Sequence, residues 1–239
     1  MSCENKELSK VKINFLLANM RANKYIIYQK PFQLNIIGVR GKNTDTSKFN
    51  DKLFVIFKDE NDKWIGRQYA VTTDPSTHYL KKGGLGTFNG KLATAILPMG
   101  QYVDSFKLGL HRGQYTALVQ SKSFCVYRDY DRNGILSFNI QDKNCGMFGI
   151  NMHRANKIGV TDNIGLYSAG CQVFANADCF NEFIVLCRNQ EDKYGNKFTY
   201  TLIDRWLQNQ LNVKRALFFS SLILGLSFIG YGLFLKKNK

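Results

Sequence analysis

Between residues 32 and 203, apolar and polar positions alternate in short runs, the period-two pattern of strands with one buried face. The runs at 32–39, 52–57, 63–71, 91–97, 115–120, 123–127 and 134–140 are rich in aromatic and β-branched residues. Asn61-Asp62, Lys82-Gly83-Gly84 and Asn133-Gly134 separate them with turn chemistry. Only three prolines occur in the whole sequence, which suits strands that need their N–H donors. This spacing predicts a sandwich or barrel, and no internal repeat interrupts it.

The period changes to that of a helix in two places. Leu8, Val11, Phe15 and Leu16 fall at helical spacing inside a basic segment, 1–30, with Lys6, Lys10, Lys12, Arg21, Lys24 and Lys30. A short amphipathic helix docked on the domain is expected there, with a membrane surface as the other option. Later, Asp178 reads as the N-cap of a helix that puts Phe180, Phe183, Ile184 and Cys187 on one face. Residues 197–203 then form a closing strand.

Residues 216–235, ALFFSSLILGLSFIGYGLFL, are twenty positions without a charge, the length that crosses a bilayer as a helix. Lys214 and Arg215 precede them, Lys236, Lys237 and Lys239 follow, and Trp206 suits an interface. Cations at both ends leave the orientation open. Gly225, Gly230 and Gly232 give no clean GxxxG spacing, so the oligomeric state is left undefined. The expected class is α+β, mostly β, with one C-terminal transmembrane helix. Its parts are a basic segment 1–30, a β-rich domain 31–203, a juxtamembrane linker 204–215, the span 216–235 and a basic tail 236–239.

Composition narrows the partners. An apolar content of 44% with 13% aromatics excludes a disordered chain. Thirty-three Lys and Arg against 18 Asp and Glu give a net charge of +15, which favours anionic partners: lipid headgroups, wall polymers or nucleic acid. No recognisable nucleic-acid motif accompanies the charge, so nucleic acid is not the expected partner.

The six cysteines, Cys3, Cys125, Cys145, Cys171, Cys179 and Cys187, form no CxxC pair and no metal spacing. The start also lacks the charged-then-apolar-then-small pattern of a secretory signal. Mostly reduced thiols are therefore expected, with Cys179 and Cys187 as packing residues, and neither a metal nor a cofactor. Asp129-Tyr-Asp131-Arg-Asn133-Gly134 begins like a calcium loop, but the twelfth position is Ile140 where a bidentate Glu is needed. A hairpin turn between 123–127 and 134–140 accounts for it better.

The densest chemistry lies at 148–173. Strand periodicity puts Phe148, Ile150 and Met152 on one face and Gly149, Asn151 and His153 on the other. Fourteen residues separate His153 from Ser168-Ala169-Gly170-Cys171. A thiol attacks only as thiolate and needs a base beside it, which His commonly supplies. Glycine before the cysteine permits a sharp turn and N–H groups that face an oxyanion. All three histidines, His78, His111 and His153, precede Cys171, which excludes a papain-like order. The polar loop 155–166, with Gly159 and Gly165, reads as a flap over the cleft.

This box resembles the signature of the L,D-transpeptidases (the YkuD-like family): a His ending a strand, about 14–17 residues, then Ser or Thr-His-Gly-Cys. The resemblance implies a β-sandwich or barrel with a few helices over 31–203. His153 would be the catalytic base, Cys171 the nucleophile, and Gly170 and Ser168 support for the oxyanion site. Arg154, Asn151, Gln172 and His111 would line the substrate cleft, and peptidoglycan stem peptides would be the substrate. Ala169 departs from the family's second His, and Gln172-Val173 from its apolar-then-Arg or Asn pair. The flanks 32–202 also look like phage-encoded proteins with a Ser-Ala-Gly-Cys-Gln-Val box, which implies a wall-modifying or lysis role. The order His111, Cys171, Arg188 loosely resembles the sortases, though their Thr-Leu-x-Thr-Cys box is absent. A non-catalytic wall-binding or virion membrane protein on the same fold is the alternative, since Cys is also a common small core residue.

Overall fold

Eight strands close on themselves into a barrel in the computed structural model, which describes residues 7–41, 45–138 and 143–204. Helix α1 (Lys10–Ala22) leads into β1 (Asn35–Arg40), β2 (Asp51–Lys58), β3 (Trp64–Thr72) and α2 (Thr77–Lys82). Three short pieces and one long one follow: β4 (Thr87–Phe88), β5 (Lys91–Leu92), β6 (Thr94–Ile96) and the twelve-residue β7 (Gly100–His111). Then come β8 (Tyr115–Gln120), β9 (Phe124–Asp129), β10 (Lys143–Gly146), β11 (Met152–Arg154), β12 (Gln172–Phe174), α3 (Ala177–Tyr194) and β13 (Phe198–Asp204). The barrel order is β1-β13-β7-β8-β11-β12-β3-β2, beside a small sheet β10-β9-β6 and a hairpin β4-β5. The mostly-β expectation holds. The predicted span 216–235, the tail 236–239 and the linker from 205 onward lie outside the described residues, among which no helix is long and apolar enough to cross a membrane.

Strand β2 shows why simple alternation fails in places. Leu53, Val55 and Phe57 enter the barrel core, while Phe54 and Ile56 belong to a second cluster under α1. Both faces are covered, so the whole run is apolar. Ser9 caps α1 by accepting from the Lys12 N–H, and the helix docks through Ile13, Leu16, Leu17 and Met20. The apolar face is thus rotated from the expected one: Val11 and Phe15 are exposed. Inside the barrel Gly38 has no side chain, which makes room for the Tyr200 ring.

Two boundaries are corrected. Asn176, not Asp178, caps α3, its Oδ1 accepting from the N–H groups of Asp178 and Cys179 at 2.8 and 3.3 Å. Asp178 sits in the first turn, where its charge suits the helix dipole. The strand returning beside β9 is β10 at Lys143–Gly146; the described part of the expected run, 134–138, forms no strand, and 139–140 lie outside the described residues. Asp129 accepts from the N–H groups of Asp131 and Ser137, and Asn133 from that of Ile135, so these side chains bend the backbone away from a ladder.

The expectation of reduced thiols is also overturned. Cys125 and Cys145 face each other across β9 and β10 and form a disulfide. Directly opposed residues of an antiparallel pair bring their β-carbons close enough for a bridge. Cys179 is disulfide-bonded as well, whereas Cys171 and Cys187 are free. Cys187 is the packing residue expected, buried in the core with Phe180 and Phe183.

Candidate active site

Strands β11 and β12 run parallel, with Met152 opposite Gln172 and His153 opposite Val173. A parallel pair needs a long connection, and residues 155–171 supply it. The result is that two segments distant in sequence start side by side. Gln172 donates its N–H to the Asn151 carbonyl at 2.9 Å, and the Asn151 N–H lies 3.5 Å from the Cys171 sulfur. Met152 and Phe174 join the core, so period two puts Asn151, His153, Cys171 and Val173 on the opposite face.

Cys171 opens onto a cavity of about 390 Å³ between this face and the small sheet. Gly149, Asn151 and His111 line the barrel side, and Ala95, Arg128 and Phe148 face them. The thiol donates to the Gly149 carbonyl at 3.5 Å while the Asn151 N–H reaches the sulfur. Burial pushes the thiol above its ordinary value, and that N–H acts in the opposite sense. The resting group is a neutral thiol.

The hydrogen bonds assign the tautomers of both imidazoles. Asn151 Oδ1 accepts from the Gln120 backbone N–H at 2.9 Å, so its amide nitrogen faces His111 Nδ1 at 3.0 Å as a donor. His111 therefore carries its proton on Nε2 when neutral. His153 Nδ1 lies 2.9 Å from the Arg154 carbonyl oxygen, which can only accept. Its proton is on Nδ1, and Nε2 is left as the basic nitrogen. Burial lowers His111 to about 4, with the Arg112 charge adding to it. Burial also lowers His153 to about 3, helped by His111. Both rings are neutral at physiological pH.

The predicted site residues divide into three groups. His111, Asn151 and Cys171 meet at the cavity. His153 is buried behind that wall, 4% exposed, with its ring stacked on His111. Among the described residues no hydrogen bond joins Cys171 to either imidazole. Ser168 and Gly170 shape the approach to the cysteine: Ser168 Oγ lies 2.8 Å from the carbonyl oxygens of both Asp74 and Cys171, and accepts from the Gly170 N–H. That bond occupies the Gly170 N–H expected to face an oxyanion. The Cys171 N–H has no partner among the described residues.

Gln172 and Arg154 stand elsewhere. Gln172 is fully buried, donating to the Gly170 carbonyl and accepting from the Tyr200 hydroxyl at 2.7 Å. Arg154 lies over the Tyr115 ring, 4.1 Å from its centroid, and is not among the cavity-lining residues. Arg188 of the sortase-like order is exposed on α3, also away from the cavity.

The loop 155–166 is no free flap. Thr161 donates to the Ala175 carbonyl, Ala177 to that of Gly159, and Ile164 to that of Ser47, while the Ile164 side chain is fully buried. The opposite wall comes instead from the segment around β4 and β5, through Leu85, Gly86 and Ala93. Sequence reading also passed over Arg128, a cation at the end of an alternating strand. The described residues hold no cluster of groups suited to a metal.

No protein-family model matches the chain, and no curated protein or solved structure is significantly similar to it. The reading of this cavity therefore stands on its own geometry and on the Ser-Ala-Gly-Cys box.

Proposed function

We propose that the protein is a membrane-tethered cysteine enzyme that acts on peptidoglycan stem peptides by thiol acyl transfer, as hydrolase or L,D-transpeptidase. The observation that carries this reading is the shared barrel face of β11 and β12. On it, a free thiol at a ligand-sized cavity adjoins a strand bearing a buried imidazole with an unprotonated Nε2. Strand spacing and rise separate the Cα atoms of Cys171 and His153 by about 8 Å, a span that side-chain rotation can close.

In the proposed cycle, His153 Nε2 takes the thiol proton as sulfur adds to an amide carbonyl carbon. The carbonyl electron pair moves to oxygen, held by the Cys171 N–H and the neutral His111 Nε2–H. One such donor lowers a barrier by about 3 kcal/mol. The adduct expels the amine, which takes the proton back from His153, and water or a second amine resolves the thioester. Asn151 orients His111, and the Arg154 carbonyl orients His153, in the role a carboxylate has elsewhere.

The disulfides support an oxidising location for the domain, hence the side of the membrane where peptidoglycan lies. A tail anchor at 216–235 would hold it there, and a phage lysis or wall-modifying role fits that position. Digestion of purified sacculi, with mass spectrometry of the fragments, tests the reading. Cleaved or exchanged stem peptides are expected from the native chain and none from Cys171→Ala; equal products from both would refute it.

One observation favours a non-catalytic wall-binding module instead. The thiol is protonated at rest and bonded to neither imidazole. That module would retain sacculi without altering them.

A further inference from the structure

Among the described residues, Arg128 is a buried cation with no carboxylate partner. Its side chain projects from β9, is 9% exposed, and lines the Cys171 cavity. Nη1 donates to the Ala93 carbonyl at 3.3 Å and Nη2 to Asn144 Oδ1 at 2.6 Å. Nε is buried without a hydrogen-bond partner. The guanidinium lies 4.9 Å from the centre of the Phe148 ring and 5.7 Å from that of Phe88, so its surroundings are aromatic and amide groups. Among the described residues no acidic side chain lines the cavity, and a second arginine, Arg112, also lines it. Desolvation lowers the Arg128 pKa, the expected response of a cation held away from water and counter-ions.

Such an arrangement suits an anionic ligand. A buried charge normally has a partner, and a buried N–H without an acceptor loses its bond to water without replacement. Phe88 and Phe148 flank the guanidinium, and the Ala93 and Asn144 bonds restrain it, which suits it to charge-assisted recognition. The Cys125–Cys145 bridge ties β9 to β10, the strand that carries Asn144.

We infer that Arg128 is an anion-recognition residue that binds a carboxylate of the ligand held against Cys171. The preferred ligand is a peptide with a free carboxylate within reach of the bond presented to the thiol. This rests on the proposed function for the identity of the cavity, and it adds the substrate feature that the cavity selects.

The test uses the full chain in detergent with Cys171→Ala, so that binding is read without turnover. N-acetyl-dialanine and its C-terminal amide are titrated separately by calorimetry. The carboxylate form is expected to bind about tenfold more tightly. Arg128→Gln should bring the two within about twofold, Arg128→Lys should keep part of the preference, and Arg112→Gln should keep most of it. Equal affinities, no binding of either, or a preference undiminished in Arg128→Gln would overturn the inference. Should Arg128→Gln fail to fold, phenylglyoxal modification of Arg128 in the unaltered chain decides: the carboxylate ligand must slow it and the amide must not. Digestion of sacculi separates this from the catalytic reading. Turnover without a carboxylate preference removes only the Arg128 site, and a preference beside an inert thiol removes only the enzyme.

Discussion

The imidazoles of His111 and His153 stack with centroids 4.1 Å apart and planes inclined by 21°. Two rings this close cannot both carry a charge. The Asn151 amide donor favours neutral His111, while the Arg154 carbonyl fixes the Nδ1 proton of His153 and only partly offsets the burial that keeps that ring neutral. The pair thus behaves as a buried neutral unit between the cavity and the core.

Acid should destabilise the domain through this pair. Folded-state values of about 4 for His111 and about 3 for His153 lie below the ordinary 6.5, so the unfolded chain binds more protons over that interval. Stability is fully present above pH 6.5 and declines as pH falls toward 3. For His153 alone the shift corresponds to on the order of 5 kcal/mol when fully realised. Melting temperature measured across this range should fall steeply, and His153→Gln should flatten the curve. A native protein insensitive to pH over the same interval would contradict the assignment of neutral rings.

Thiol reactivity should rise with pH without a plateau near neutrality. Burial holds the Cys171 thiol above its ordinary 9.0, and no imidazolium is present to stabilise the thiolate. Alkylation by iodoacetamide is expected to increase about tenfold per pH unit up to the alkaline limit. A flat, fast rate from about pH 6 to 8 would reveal a preformed thiolate–imidazolium pair and require another resting state.

Much of the barrel was readable because its strands alternate. The run at 115–120 matches β8, and 52–57 and 63–71 lie within a residue or two of β2 and β3. β7 was missed because its alternation is broken: Asp104 adopts a φ of 48°, and Phe106 and Leu108 face inward whereas Leu110 is exposed and His111 buried. The Cys171 motif was visible in local spacing. Its neighbours were only partly so: His111 reaches the site from the end of β7, Arg128 from β9, and the second wall from β4 and β5. Those meetings are set by strand pairing over long sequence separations, which no local pattern encodes. Gln172 and Arg154 lie off the cavity for a related reason, since nearness to a nucleophile in sequence does not say which face of the sheet a side chain takes.

The Cys125–Cys145 bridge should stabilise the small sheet. Its sequence separation of 20 gives a loop-closure contribution of about 3 kcal/mol. Cys125→Ala with Cys145→Ala should lower the melting temperature by roughly 6–12 °C, and a reductant should do the same to the native chain. Peptide mapping without reduction should recover the two cysteines in one linked fragment. Recovery of both as free thiols from the purified protein would remove the bridge and its support for an oxidising compartment.

Gly170→Ala tests whether the turn before Cys171 is built for placing the thiol. Gly170 has a φ of +126°, and a β-carbon there would lie 2.6 Å from the Ala95 carbonyl oxygen, a backbone atom that cannot yield cheaply. Backbone strain alone costs about 1–3 kcal/mol, and the collision adds to it by pushing the 168–171 turn off β6. Gly90→Ala is the matched control: its φ is also positive, at +74°, but a β-carbon there meets open space. Gly90→Ala should lose a little melting temperature and leave Cys171 alkylation unchanged. Gly170→Ala should lose more, and the rate at Cys171 should change because the Asn151 N–H and Gly149 carbonyl contacts to sulfur depend on where the turn sits. Equal losses in the two variants, with an unaltered thiol rate in both, would mean that the Ser168–Cys171 turn contributes ordinary chain reversal and no positioning of the nucleophile.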